Sequence, residues 1–213
     1  LSDYAAIKNG SYGKLMKAYY AKQDAEKLSG KGDTSQKLTL MKTSADSLKK
    51  SADALNDSSL WEKKKIKKKD EKTGEEIEVE DYDWDKITKA VKSFVEDYND
   101  VVKEAGESNT KDVLRNASWM TGMTDKNSNM LAKIGITIGK GNKLELDEDA
   151  LKQADISSLK TVFTGYNSFV SKISQKATCI SNAANRASAT YTNNGTYSKT
   201  DSLLTSSKID EEV

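Results

Sequence analysis

The sequence predicts a mainly α protein: an elongated helical bundle or coiled coil with one or two small β-hairpins, at about residues 60–83 and 134–146. Three observations predict it. No proline occurs in 213 residues, so nothing removes a backbone donor from a helix interior or kinks it. Apolar residues recur at alternating intervals of three and four over several stretches, the spacing of a helix face that packs on another helix. Apolar residues make up 36% and charged residues 31%, a surface large relative to its core, as in bundles of long helices.

Each element has its own signal. Residues 1–10 lead in to Gly10, and a helix is expected from Ser11 to about Leu28, with Leu15, Met16, Tyr19 and Tyr20 on one side. Ser29-Gly30-Lys31-Gly32-Asp33 stops it, and Asp33 or Thr34 caps the next helix. There Leu38, Met41, Ala45, Leu48, Ala52 and Leu55 form an a/d seam. Residues 57–83 break the pattern: Lys63 to Lys69 is mainly basic, Glu75 to Asp83 mainly acidic, with Thr73-Gly74 between. A hairpin follows, expected to pair Trp61 with Tyr82, Lys63 with Glu80, Lys65 with Glu78, Ile66 with Ile77 and Lys67 with Glu76, each opposite-charge pair adding a few tenths of a kcal/mol.

The clearest helix runs from about Trp84 to Ala105, with Ile87, Val91, Phe94, Val95, Tyr98, Val101, Val102 and Ala105 in one stripe and Gly106 as its stop. Residues 110–133 hold one or two shorter helices, with Val113, Leu114, Trp119, Met120, Met123, Met130 and Leu131 available for packing. Ile134 to Leu146 reads as a second hairpin turning at Gly139-Lys140-Gly141-Asn142. Asp147 caps a short helix, with Leu146 and Leu151 spaced for a hydrophobic staple. A last long helix is expected from about Ser158 to Ala189, with Leu159, Phe163, Tyr166, Val170, Ile173, Ala177, Ile180, Ala184 and Ala187 in heptad spacing. The expected organisation is therefore N-terminal helices at 1–56, a charged hairpin insertion at 57–83, a helical region with a small hairpin at 84–191, and a flexible polar tail at 192–213.

Composition narrows the function. There is no His, which withdraws the side chain that most readily exchanges protons near neutral pH. The single Cys179 excludes an internal disulfide and a multi-Cys metal site, and its apolar surroundings predict an inert packed thiol. A net charge of +1 offers no field to attract nucleic acid or an anionic membrane. The lysine run alone resembles a nucleic-acid patch, but the acidic run behind it neutralises it. No stretch approaches the roughly 20 apolar residues that span a bilayer, and no cleavable signal peptide is read at the start.

Gly139-Lys140-Gly141-Asn142-Lys143 lacks the spacing of a phosphate loop and precedes a strand, so it reads as a turn. Asp147-Glu148-Asp149 lacks the alternating ligands of a calcium loop and reads as a cap. The expectation is a non-enzyme with no catalytic, metal or cofactor-binding residues, no cofactor and no small-molecule substrate.

From Ile87 to Ala187 the order of features resembles the C-terminal part of the flagellar hook-associated protein 2 (filament cap) family. Phe94, Val95, Tyr98, Asn99 and Val102 match that family's Phe-Val-x-x-Tyr-Asn-x-x-Val pattern. Leu131, Ile134-Gly135-Ile136, Gly141, Leu144 and Leu146-Asp147 follow in the family's order, then Leu151, and Val162-Phe163 with Gly165 closes the series before a long helix. The family's large β-rich insertion has only the 60–83 hairpin as its counterpart here.

The resemblance implies a structural protein exported through the flagellar route without a cleaved signal, which oligomerises at the filament tip. Its partners would be flagellin, hook-associated proteins or copies of itself. The alternative is a cytoplasmic helical adaptor or export chaperone of the same system. The residues expected to carry helix packing and interaction are Ile87, Val91, Phe94, Val95, Tyr98, Val102, Phe163, Tyr166, Val170, Ile173 and Ile180.

Overall fold

The computed structural model describes residues 32–69 and 76–190. The helix expected at 11–28, the Thr73-Gly74 turn and the polar tail lie outside the described residues. Within them the protein is mainly α, with seven helices and two small antiparallel hairpins.

Helix α1 (Ser35–Asn56) starts where Thr34 accepts a hydrogen bond from the Lys37 amide, and all six residues of its seam are buried. Helix α2 (Trp84–Glu107) starts at Asp83, whose carboxylate accepts from the Lys86 amide, and buries its apolar stripe in full. Helices α3 (Lys111–Lys126) and α4 (Ser128–Ala132) follow. Strands β3 (Ile136–Ile138) and β4 (Leu144–Leu146) then precede α5 (Glu148–Gln153), α6 (Ile156–Phe163) and α7 (Phe169–Thr190). Strands β1 (Lys64–Lys69) and β2 (Glu76–Asp81) lie between α1 and α2.

Helix α1 packs most extensively on α7 and next on α2, and α7 also packs on α3. Named bonds give the directions. Ser174 and Ser181 of α7 donate to Asp53 and Asp46 of α1, each at 2.6 Å, so rising numbers on one helix meet falling numbers on the other. Lys37 near the start of α1 reaches the Glu107 carbonyl at the end of α2. Both neighbours of α1 are therefore antiparallel to it, the up-and-down arrangement of a helical bundle. Asp46 and Asp53 are seven residues apart, as are Ser174 and Ser181, so this polar ladder repeats with the heptad and runs beside the apolar seam.

One contiguous core includes residues from all three long helices and from the short elements between α2 and α7. Its centre is aromatic: Phe94 meets Tyr98, Phe163 and Phe169 at centroid distances of 6.3, 6.5 and 6.4 Å. Trp61 stacks on Phe163 at 5.5 Å. Rings at these separations add stabilisation beyond their buried area.

Four expectations are corrected. The helix expected over 158–189 is two helices, broken at 164–168. Gly165 adopts φ +98, outside the right-handed helix, and its amide donates to Asn56 Oδ1 at 2.8 Å, which ties the break to the end of α1. Ser168 Oγ then accepts from the Ser171 amide and starts α7. Phe163 and Val170 are seven residues apart, so the periodicity continues across the break and conceals it.

The charged hairpin is present in a register two residues away from that expected. Ile66 pairs with Val79, not Ile77; Lys65 pairs with Glu80 and Lys67 with Glu78. A shift of two leaves every side chain on its own face and keeps both Lys65 and Lys67 opposite an acid, so pattern and charge alone do not separate the registers. Trp61 does not meet Tyr82. It sits in a short 3-10 turn at Ser58–Trp61, where its indole N–H donates to the Leu55 carbonyl at 2.8 Å and its ring is buried.

Cys179 and Tyr166 are the third and fourth corrections. Cys179 is exposed, because it falls between the buried Ala177 and Ile180 on the outward side of α7. Tyr166 is 82% exposed, because the break at Gly165 removes it from any helix face.

Candidate interaction site

The residues that carried the resemblance do identifiable physical work. On α2, Phe94 supplies the ring at the centre of the aromatic cluster, and Tyr98 is fully buried with its hydroxyl donating to Thr124 Oγ1 of α3 at 2.9 Å. Burial pushes the Tyr98 phenol well above its ordinary range, so it stays a neutral donor. Asn99 turns the other way. Its Nδ2 donates to the Leu144 carbonyl at 2.9 Å and its Oδ1 accepts from the Leu144 amide at 2.7 Å. Asn99 thus acts as one further strand residue against β4, fixing the second hairpin to α2.

The Ile-Gly-Ile segment is explained by its middle residue. Gly135 has φ +79, and its carbonyl accepts from the Asp147 amide at 2.8 Å. A Cβ at Gly135 would lie 2.6 Å from the Asp147 carbonyl oxygen and 2.9 Å from the Leu151 amide nitrogen. Only glycine fits both the conformation and the approach. Ile134 and Ile136 on either side are fully buried, as are Leu131 and Leu151. Asp147 closes the unit by accepting from the Asp149 and Ala150 amides at the start of α5.

A further carboxylate was legible only as a local cap. Asp33 accepts from Ser108 Oγ at 2.6 Å, Thr110 Oγ1 at 2.7 Å, and the Asn109 and Thr110 amides at 2.8 Å. It joins the approach to α1 to the turn between α2 and α3. Burial pushes this carboxyl up, but the bonds from Ser108, Thr110 and Asn109 outweigh it and hold the group below its ordinary range. Two capping residues in succession, Asp33 and Thr34, where α1 needs one, were the available signal.

Of the residues expected to carry packing and interaction, Ile87, Val91, Phe94, Val95, Tyr98, Val102, Phe163, Val170, Ile173 and Ile180 are all buried within the chain, and Tyr166 alone is exposed. The bundle thus brings the first ten together in one core and leaves Tyr166 outside it. Among the described residues, two other large apolar side chains are exposed, Leu40 on α1 and Trp119 on α3. The Lys176 ammonium of α7 lies 4.5 Å from the centre of the Trp119 ring, a cation–π contact that bridges α3 and α7 on the surface. Beside it Asp112 of α3 pairs with Arg115 and with Arg186 of α7. Among the described residues, no group of three or more His, Cys, Asp or Glu is placed to hold a metal ion.

Residues 108–210 match the family model of the flagellar hook-associated protein 2 C-terminus. That match supports the resemblance to this family over residues 108–210. The region it covers starts later than the resemblance read from about 87 and runs further, past the long helix α7. No curated protein and no solved structure matches the chain. Over residues 108–210 the chain is similar to a flagellar hook-associated type of structural protein. Among the described residues no helix is long and apolar enough to cross a membrane.

The match also locates the motif residues. Gly135, Leu144, Asp147, Leu151, Phe163 and Gly165 lie inside it, whereas Phe94, Tyr98 and Asn99 on α2 lie before it and hold it from outside. Helix α1 lies further upstream still, yet it packs against α7 as the C-terminal region's main neighbour.

Proposed function

We propose that this chain is a non-enzymatic structural or assembly protein of the bacterial flagellum, either filament-cap-like or accessory, working through helix–helix contacts. The observation that carries this reading is the match of residues 108–210 to the hook-associated protein 2 C-terminus. In this reading the seam residues from Ile87 to Ile180 build the body, and contacts to flagellin, hook-associated proteins or further copies fall to its exposed surface. Among the described residues of the matched region, Trp119 and Tyr166 are the large apolar side chains exposed there. Residues 57–83 act as an insertion between α1 and the region at 84–191. The protein reaches the flagellum by the flagellar export route without a cleaved signal.

Deleting the gene in the source bacterium tests this. The expected result is a swimming defect with altered or missing filaments, restored by the wild-type gene. Normal motility and normal filaments in the deletion strain contradict it. A protein that stays in the cytoplasm while its loss still impairs filaments supports the adaptor or export-chaperone alternative instead.

A further inference from the structure

The ribbon formed by β1 and β2 is a sheet of two strands with no third strand on either side among the described residues. Its two edges differ completely in charge. Strand β1 reads Lys-Lys-Ile-Lys-Lys-Lys and has no acid; β2 reads Glu-Ile-Glu-Val-Glu-Asp and has no base. Lys64, Lys65, Lys67, Glu76, Glu78 and Glu80 are exposed, with Ile66 and Val79 half-buried opposite each other. An unpaired strand edge is a template for a further strand, and its charge decides which strand it admits.

We propose that this ribbon is a docking surface for the ribbon of a second copy of this chain, β1 of one copy adding to β2 of the next. The alternatives are closed by charge. Pairing β1 with β1, or β2 with β2, sets like charges opposite one another along the whole edge, which is destabilising. Pairing β1 with a neighbour's β2 reproduces the register already present inside the hairpin, Lys65 against Glu80, Ile66 against Val79 and Lys67 against Glu78. Each strand then has an opposite-charge neighbour on both sides, and Ile66 and Val79 continue as one apolar stripe. The contact uses a different edge of each copy, so it is head-to-tail and generates a ring or an open chain, never an isolated two-fold pair. The ribbon lies outside the matched region, so the proposal stands or falls independently of the flagellar reading.

Sedimentation velocity of the full chain tests it, at low salt and at about 1 M salt, where charge interactions between exposed groups are screened within a few ångströms. Three proteins are compared: wild type, a variant with Lys65→Glu and Lys67→Glu, and one that adds Glu78→Lys and Glu80→Lys to those changes, the two acids that face them. The wild type is expected to associate at low salt and about tenfold more weakly at high salt. The first variant should be monomeric. The exchanged variant, whose ribbon is again complementary within itself and between copies, should associate as the wild type does, which separates loss of docking from loss of the ribbon. A monomeric wild type at low salt, an assembly indifferent to the first variant, or an exchanged variant that stays monomeric overturns the proposal.

Discussion

Replacing Asn99 by alanine tests whether the matched C-terminal region is held to α2 by a side chain acting as backbone. The change removes two hydrogen bonds, from Nδ2 to the Leu144 carbonyl and from the Leu144 amide to Oδ1. Each such bond contributes about 1 kcal/mol net, and a donor or acceptor left dry costs about 1–3 kcal/mol. Leu144 is only 2% exposed, but the Asn99 site is part-buried, so water recovers some of the loss. The expected destabilisation is about 3 kcal/mol, between the ~2 kcal/mol of the two bonds alone and the larger value for two groups left fully dry. For a chain of this length that corresponds to a fall in Tm of roughly 6–12 °C.

Urea unfolding followed by tryptophan fluorescence measures the change, and amide exchange locates it. The Leu144 amide should lose protection first, with β3 and β4 opening ahead of α1, α2 and α7. Asn99→Asp keeps the acceptor and loses the donor, so it should fall between wild type and Asn99→Ala. A loss below about 0.5 kcal/mol, the size of an ordinary surface substitution, with unchanged exchange at Leu144, refutes the role given to Asn99.

Two further outcomes follow from the same geometry. Gly135→Ala places a methyl group against the Asp147 carbonyl at a positive φ, and should destabilise by at least about 2 kcal/mol. Gly141→Ala is its control: Gly141 has φ +72 but open space around it, so chemical denaturation should show a loss of only about 1–2 kcal/mol, the backbone strain alone. At Asp33 the folded carboxyl titrates below its ordinary 3.8, so its contribution is fully present above that value and is lost as pH falls through the lower folded one. Asp33→Asn should therefore be less stable than wild type near neutrality, and acid titrations of the two should converge well below pH 3.8.

The fold was largely legible because its helices depend on local periodicity. The seam from Leu38 to Leu55 and the stripe from Ile87 to Ala105 required only side-chain spacing, and both are buried as spacing demands. What spacing leaves open is whatever a partner element decides. The break after Phe163 is set by Gly165 and its bond to Asn56, 109 residues away in the chain, and the heptad runs through it unchanged. The register of the charged hairpin has two solutions that alternate and pair charges equally well. Trp61 left the hairpin because Phe163 offered it a stacking partner from another helix.

The interaction residues show the same division. A stripe of apolar residues states that a helix face is covered but not by what, and here the chain covers its own. The exposed residues Trp119 and Tyr166 read as packing residues in the sequence because their type, unlike their position, points inward. Asp33 looked like one more cap for the helix that follows it; its partners are more than 70 residues away.

The most direct measurement of the central claim is where the protein sits in the cell. Filaments sheared from the source bacterium and separated from the cell bodies should carry this protein when probed by antibody, and the cytoplasmic fraction should hold only the pool awaiting export. Its absence from sheared filaments and flagellar bodies, with all of it in the cytoplasm, contradicts the account of a flagellar structural component.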